Sequence, residues 1–195
     1  MSTFDDAIDA LRAKRWSITE APDHVPSRPG LYAIYGDTIA WNELGLTPMP
    51  DLPLYVGKAE ESLARRELQG HFAVDPRVKA QTGSSTVRRS FASLLRGTLE
   101  LQGIPRNPAK PGYFSNFGLS IEQDLLLTRW IHDRLSLAVW STPPLLETPL
   151  ADIERHVIRR WTPPLNLSEN PTPAPGLKAA RAAMAAEAKA WRPAT

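Results

Sequence analysis

The segments Gly30-Leu31-Tyr32-Ala33-Ile34-Tyr35-Gly36 and Leu54-Tyr55-Val56-Gly57-Lys58 decide the expected fold. Both are short and rich in apolar and aromatic residues, and glycine or proline stands at their ends. Segments of this length and composition are typical of β-strands. We therefore predict strands over residues 31–35 and 54–57, each of which carries a tyrosine close to a glycine.

The regions around these strands predict a mixed α/β chain. Residues 137–140, Leu-Ala-Val-Trp, have the composition of a third strand. Periodic apolar residues and capping residues predict helices over residues 4–14, 62–72, 85–96, 121–135, 149–161 and 176–191. Segments 36–53 and 97–119 are rich in proline, glycine and asparagine and are predicted to be loops.

The composition of the 195 residues is that of an ordinary globular protein. Hydrophobic residues make up 42% and charged residues 23%, which suits one domain with a substantial core. No apolar run approaches the length of a membrane span, and the acidic N-terminus lacks the features of a secretion signal. The sequence has no cysteine, which rules out thiolate metal sites and suits the cytoplasm. We therefore expect a cytoplasmic protein without a membrane partner.

Basic residues are concentrated in the middle of the chain, although the formal net charge is only +2. A locally basic surface suits contacts with phosphates, but it also suits ordinary solvated helix faces. One candidate nucleic-acid site is the predicted helix start at Ser85, Thr86, Arg88 and Arg89. Another is the loop in which Arg106 and Lys110 precede a group of aromatic residues. Arg65, Arg66, Arg77, Lys79 and Arg96 complete the basic region.

Glu154 stands out because it lies on the apolar side of a predicted helix. On a helical wheel it falls within the stripe formed by Leu150, Ile153, Val157, Ile158 and Trp161. Burying an unpaired carboxylate costs several kcal/mol. Glu154 therefore needs a cation, a metal or an opening to water as a partner. An ion pair with a nearby arginine would be the purely structural interpretation.

The order of these motifs resembles that of the GIY-YIG nuclease family over residues 29–166. Gly30-Leu31-Tyr32 corresponds to the first motif, and Tyr55-Val56-Gly57 with Lys58 corresponds to the second. An arginine on a helix follows, then a later helix with Glu154, and then Asn166 in a Pro-Pro-Leu-Asn turn. Each match is weak alone, but their succession is specific.

The resemblance implies an α/β sandwich in which helices flank a small three-stranded antiparallel sheet. Tyr32 and Tyr55 are 23 positions apart, farther than in simple family members, so residues 36–53 are expected to be an insertion. We expect a helical extension over residues 1–28, the nuclease domain over 29–170, and a linker with an alanine-rich helix over 171–195. Residues 97–119 form a second inserted loop in this scheme.

The resemblance also implies a metal-dependent endonuclease that acts on DNA, with RNA not excluded. Glu154 would bind Mg²⁺ or Mn²⁺, supported by Asn166, and Arg66 or Arg65 would neutralise a phosphate oxygen. Arg66 is preferred because it follows Leu63 by the family's usual step, although His71 then follows one position late. Tyr32, Tyr55 and His71 are alternative general bases, with Lys58 as a nearby cation. The products would carry 5′-phosphate and 3′-hydroxyl ends.

Other interpretations stay open at this point. The chain could be a nucleic-acid-binding module without catalysis, or a nuclease for structured or single-stranded nucleic acid in repair or defence. It could also be a structural protein in which Glu154 is ion-paired. One site cuts one strand, so cleavage of a duplex would need a homodimer or two binding events.

Overall fold

The computed structural model describes residues 2–73 and 82–193, apart from the side chain of Gln69. Arg77 and Lys79 of the basic region lie outside the described residues. The described chain contains a four-stranded antiparallel sheet with the order β1-β4-β2-β3. Its strands are β1 (Trp16–Ser17), β2 (Gly30–Gly36), β3 (Tyr55–Ala59) and β4 (Leu135–Ser141). The α/β class is confirmed.

The expected count of three strands was wrong, because β1 was not predicted. Trp16 pairs with Leu137 and Ser17 with Ser136, so β1 adds two residues to the outer edge of β4. A segment of two residues is too short to show the alternation by which strands are recognised in a sequence. It forms here because β4 offers a free edge.

The central strand β2 is buried over its whole length. It pairs with β4 on one side and with β3 on the other, and Tyr32 lies opposite Val139 and Gly57. Because successive side chains alternate between the faces of a sheet, Tyr32 and Ile34 enter one core and Leu31 and Ala33 enter the other. A strand that is covered on both faces has no polar positions, which explains its continuous apolar sequence.

Helices cover both faces of this sheet. On the face of Leu31 and Ala33 the core is completed by α1 (Thr3–Ala13) and α6 (Leu150–Trp161). On the face of Tyr32 and Ile34 it includes residues of α4 (Thr86–Leu94), α5 (Ile121–Arg134) and α7 (Leu177–Ala190). The remaining short helices are α2 (Thr38–Glu43) and α3 (Leu63–Arg66). Strand β3 is one edge of the sheet, and both α6 and α3 contact it.

The helix predicted over residues 62–72 changes type after one turn. Ser62 caps α3 by accepting a hydrogen bond from the Arg65 amide at 3.1 Å. A π-helical turn, Glu67–His71, then follows instead of a continued α-helix. A π turn takes up one more residue than an α turn. His71 can therefore follow Arg66 by five positions and still lie near the same side of the helix.

Segment 36–53, predicted to be a loop, contains α2. Asp37 caps this helix, since its side chain accepts a hydrogen bond from the Ala40 amide at 2.6 Å. Ala40 and Trp41 of α2 are buried against the sheet. The prolines and glycines that suggested a loop lie outside these six residues. Segment 97–119 is largely a loop, with one short 3-10 turn, Phe114–Asn116, and a bridge between Ile104 and Gly118.

The C-terminal helix α7 packs against α4 and the 3-10 turn of the same chain. Leu177, Met184 and Ala188 are its buried residues. Helix α7 lies very close to segment 97–119, because a Cβ at Gly103 would be only 2.2 Å from the Met184 carbonyl oxygen. Within the described ranges, no helix is long and apolar enough to cross a membrane.

Candidate active site

A cleft of about 600 Å³ opens at the edge strand β3. One wall comes from α3 and the π turn, and the other comes from α6. The cleft brings together side chains that are far apart in sequence and that the motifs had singled out. Its lining includes Tyr32, Tyr55, Lys58, Arg65, Arg66, His71, Ser85 and Glu154.

Tyr32 and Tyr55 lie on neighbouring strands with ring centroids 6.1 Å apart. Gly57 makes this arrangement possible, since it lies opposite Tyr32 in the sheet. A Cβ at Gly57 would stand 2.4 Å from the Tyr32 hydroxyl oxygen and 2.9 Å from the Tyr55 ring. No side chain fits there without displacing the phenols. The second motif therefore requires glycine at position 57 for a steric reason.

The structure separates the two candidate arginines. Arg65 forms an ion pair with Glu61 at the exposed rim of the cleft. Arg66 lies closer to the phenols, and its positive charge favours the ionised forms of both Tyr32 and Tyr55. Arg66 also acts on the charge of Glu154. Arg66 is therefore the arginine whose charge acts on Tyr32, Tyr55 and Glu154.

His71 connects Tyr32 to the start of α4. Its Nε2 atom lies 3.2 Å from the Tyr32 hydroxyl oxygen, and its Nδ1 atom lies 2.7 Å from the Ser85 hydroxyl oxygen. The Ser85 hydroxyl also caps α4 by accepting from the Arg88 amide at 3.1 Å. His71 is the acceptor for the buried Ser85 proton among the described residues. Since buried hydroxyls rarely stay unpaired, Ser85 donates to Nδ1, and Nε2–H donates to Tyr32.

Burial dominates the protonation of these groups. It lowers the pKa of His71 to about 3, with further lowering from Arg66 and Arg88. It raises the pKa of Tyr55 to about 12 and the pKa of Tyr32 well above the ordinary value. At neutral pH, His71 is therefore neutral and both phenols are protonated.

Glu154 projects into the cleft from α6, as its place on the helical wheel predicted. It is half-buried, and burial raises its pKa against the opposing effects of Lys58 and Arg66. Among the described residues it has neither an ion pair nor a hydrogen bond. Lys58 instead pairs with Glu60. The ion pair with an arginine that the purely structural interpretation requires is therefore not found among the described residues.

Asn166 lies on the outer edge of β3 and not in the cleft. Its Nδ2 donates to the Val56 carbonyl at 2.8 Å, and its Oδ1 accepts from the Val56 amide at 2.9 Å. Nearby, the Leu165 amide donates to the Leu54 carbonyl at 3.0 Å. An edge strand would otherwise leave these groups without partners. Asn166 therefore positions the strand that carries Tyr55.

A comparison with protein-family models identifies the family of this chain. The family model of the GIY-YIG catalytic domain matches residues 51–184, which is more than half of the chain. This chain belongs to the GIY-YIG family. A search of curated proteins and a search of solved structures found no match. The family is one of nucleases, and the match includes the second motif, Arg66, Glu154 and Asn166. The first motif precedes the matched range, but β2 pairs it with β3.

Three of the six predicted nucleic-acid contacts of this GIY-YIG chain, Ser85, Arg88 and Arg89, are buried. Arg88 is fully buried and pairs with Asp124 at 2.7 Å. Arg89 is also buried, donating to the Gly83 carbonyl at 2.9 Å and to the Thr86 hydroxyl at 3.2 Å. These arginines thus anchor α4 internally, and their side chains do not face solvent. Arg106 and Lys110 are exposed.

Glu67 was not identified from the sequence as a buried acid, although its position in the helix indicated this. It follows the buried Leu63 by four positions and thus lies on the same side of the helix, as in the argument for Glu154. Glu67 is 0% exposed, and neither of its carboxylate oxygens has a hydrogen-bond partner among the described residues. Burial raises its pKa well above the ordinary value, opposed by Arg66. The role of Ser85 beside His71 had no signal in the sequence.

Proposed function

We propose that this GIY-YIG protein is a metal-dependent endonuclease that hydrolyses DNA phosphodiester bonds. The observation that carries the proposal is Glu154, a half-buried carboxylate that faces Tyr32, Tyr55 and Arg66 across one cleft and has no ion pair with another described residue. A protein that only binds nucleic acid gains nothing from a carboxylate there, because it repels phosphates. A hydrolytic site needs one to hold a cation.

The donor set fits a divalent cation that the substrate helps to bind. Among the described residues there is no cluster of three or more His, Cys, Asp or Glu side chains that would hold a metal. Mg²⁺ commonly binds through one or two carboxylates, with substrate phosphates and waters in the remaining positions. Glu154 would be the protein ligand for Mg²⁺ or Mn²⁺. When bound, the cation supplies charge neutralisation at the phosphate and at the leaving 3′ oxygen.

The other side chains act on the phosphate and on the attacking water. Arg66 donates to a non-bridging phosphate oxygen, and its forked guanidinium suits that geometry. Tyr32 and Tyr55 flank the water. His71 is a poor base, because its pKa of about 3 leaves it little affinity for a proton. Its Nε2–H instead donates to the Tyr32 oxygen and stabilises a phenolate there.

We infer that Tyr32 takes the proton from the water. Both phenols are protonated in the free protein, so Tyr32 must first release its own proton to the solvent water in the open cleft. The nearby charge of Arg66 and the donor from His71 favour that loss. As Tyr32 takes the proton, the water oxygen bonds to phosphorus and the bond from phosphorus to the 3′ oxygen breaks. The 3′ oxygen takes up a proton from solvent water, so the products carry 5′-phosphate and 3′-hydroxyl ends. One site cuts one strand, so cutting a duplex requires two binding events or a homodimer. We keep the expectation of a cytoplasmic location.

Cleavage of supercoiled plasmid and of labelled single-stranded DNA and RNA tests the proposal. The assay contains Mg²⁺ or Mn²⁺, with EDTA as the metal-free control. Glu154→Gln should reduce cleavage by about a hundredfold or more, since it removes the metal ligand and keeps the side-chain size. Glu61→Gln is the matched control, because Glu61 lines the same cleft but pairs with Arg65 at the rim.

The ends of the products test the direction of attack. Extension by a polymerase without prior phosphatase treatment would show a 3′-hydroxyl. Equal cleavage by Glu154→Gln and wild type would refute the assignment of the metal ligand. No cleavage by wild type, with equal DNA binding by both proteins, would favour a binding module without catalysis.

A further inference from the structure

A second groove, of about 690 Å³, lies between the loop 104–118 and the start of α5. It is rimmed by Tyr113, whose side chain is 90% exposed, and by Ile121, which is 63% exposed. Arg106 and Lys110 supply its charges, and its described lining contains no Asp or Glu. An exposed aromatic ring beside cations is the arrangement with which proteins bind the bases and phosphates of single strands.

This groove continues from the active-site cleft. Ser84 lines both spaces. Arg106 lies at the junction, where its guanidinium donates to the Ser84 hydroxyl at 3.1 Å. Its aliphatic part packs on Gly83, at which a Cβ would be 2.6 Å from the Arg106 Cγ. A strand that leaves the cleft past Ser84 would therefore meet Arg106 first.

Three arginines concentrate positive charge at this junction. Arg89 lies beneath Gly83, and burial together with the charges of Arg181 and Arg106 lowers its pKa to about 10. Both of the neighbouring charges that act on Arg89 are positive. Like charges repel one another, and a bound anion relieves that repulsion. The field at the junction thus favours a phosphate group.

We propose that this groove binds a single-stranded segment of the nucleic acid that occupies the active site. A backbone phosphate lies at Arg106, and a base stacks on Tyr113. The inference rests on the proposed function for its ligand, since the continuity at Ser84 joins the groove to the nuclease cleft. A duplex would not place an unpaired base against Tyr113, so the groove distinguishes single-stranded from fully paired substrates.

Fluorescence anisotropy tests the proposal with the full-length protein in EDTA, so that binding is measured without cleavage. The probes are a short labelled DNA single strand and a blunt duplex of the same sequence. Tyr113→Ala should weaken single-strand binding about tenfold or more, and Tyr113→Trp should preserve it. Arg106→Met should lower the dependence of log K on log salt by about 0.7, the contribution of one phosphate contact on a single strand.

Lys14→Ala is the control, since Lys14 lies at the end of α1 on the opposite face of the sheet. It should bind both probes like wild type. Unchanged single-strand affinity in both Tyr113→Ala and Arg106→Met would overturn the proposal, and so would an equal loss for the duplex. The two proposals can fail independently. If the protein binds the single strand through Tyr113 but cleaves no substrate, the groove proposal stands and the proposed nuclease function is refuted.

Discussion

Replacing Glu67 by glutamine should remove one component of the pH dependence of the folding stability, the component in which stability falls as the pH rises. Glu67 is 0% exposed and its carboxylate oxygens have no hydrogen-bond partner in the described part of the chain. Burial raises its pKa in the folded state well above the ordinary value of 4.5. The folded protein therefore holds this proton more tightly than the unfolded chain does.

The sign and size of the effect follow from this difference. The stabilising contribution of the proton is fully present below the unfolded pKa and is lost as the pH rises towards the folded pKa. Between the two pKa values, the free energy of unfolding of wild type should fall by about 1.4 kcal/mol per pH unit because of Glu67. Glutamine cannot titrate, so Glu67→Gln should lack this component and exceed wild type in stability at alkaline pH.

Urea unfolding at a series of pH values between about 5 and 8 measures this difference. Glu61→Gln is the control, because Glu61 is an exposed acid on the neighbouring turn and pairs with Arg65. Its stability should follow the pH dependence of wild type. The reasoning is refuted if Glu67→Gln and wild type show the same pH dependence of unfolding free energy. Such a result would mean that Glu67 is solvated or paired in solution.

Three further predictions concern the active site. Gly57→Ala should slow plasmid cleavage by at least about tenfold, because its Cβ would lie 2.4 Å from the Tyr32 hydroxyl; unchanged rates, with folding checked by circular dichroism, would mean that Tyr32 need not hold this position. Ser85→Ala should lower kcat by about tenfold with little change in KM, because His71 loses the partner that fixes its tautomer. Ser85→Thr should restore most of the rate, and a change in KM alone would contradict the positioning role. The logarithm of kcat/KM should rise with pH without an inflection near 6.5, because burial holds the pKa of His71 at about 3; an inflection there that disappears in His71→Asn would contradict this.

Local patterns were sufficient to predict most of the fold. Strands β2, β3 and β4 and the helices from α4 to α7 lie close to their predicted positions, because each buries a continuous or periodic apolar pattern. The failures have a common cause. Strand β1 and helix α2 are short, and each is stabilised by contacts with distant segments more than by its own sequence.

The site shows the same division between local and distant information. Glu154 could be found from its position on one helix, since helical periodicity alone places it on the apolar side. The spacing favoured Arg66 over Arg65 but could not settle the choice, because it depends on how α3 meets the two strands. Arg88 was misjudged as a surface residue for a related reason. Its partner Asp124 is 36 positions away on α5.

The sequence by itself determined the family, the order of the motif residues and the position of Glu154 on the apolar side of its helix. These depend on residue types and on spacing within single elements, which the chain shows directly. Only the tertiary structure decided that His71 reaches Tyr32 through a π turn, that Ser85 holds His71, and that Glu67 is buried beside them. Hydrogen bonds of this kind join separate elements, and burial depends on what covers a side chain. Neither can be obtained from local periodicity, because both arise when the layers pack together.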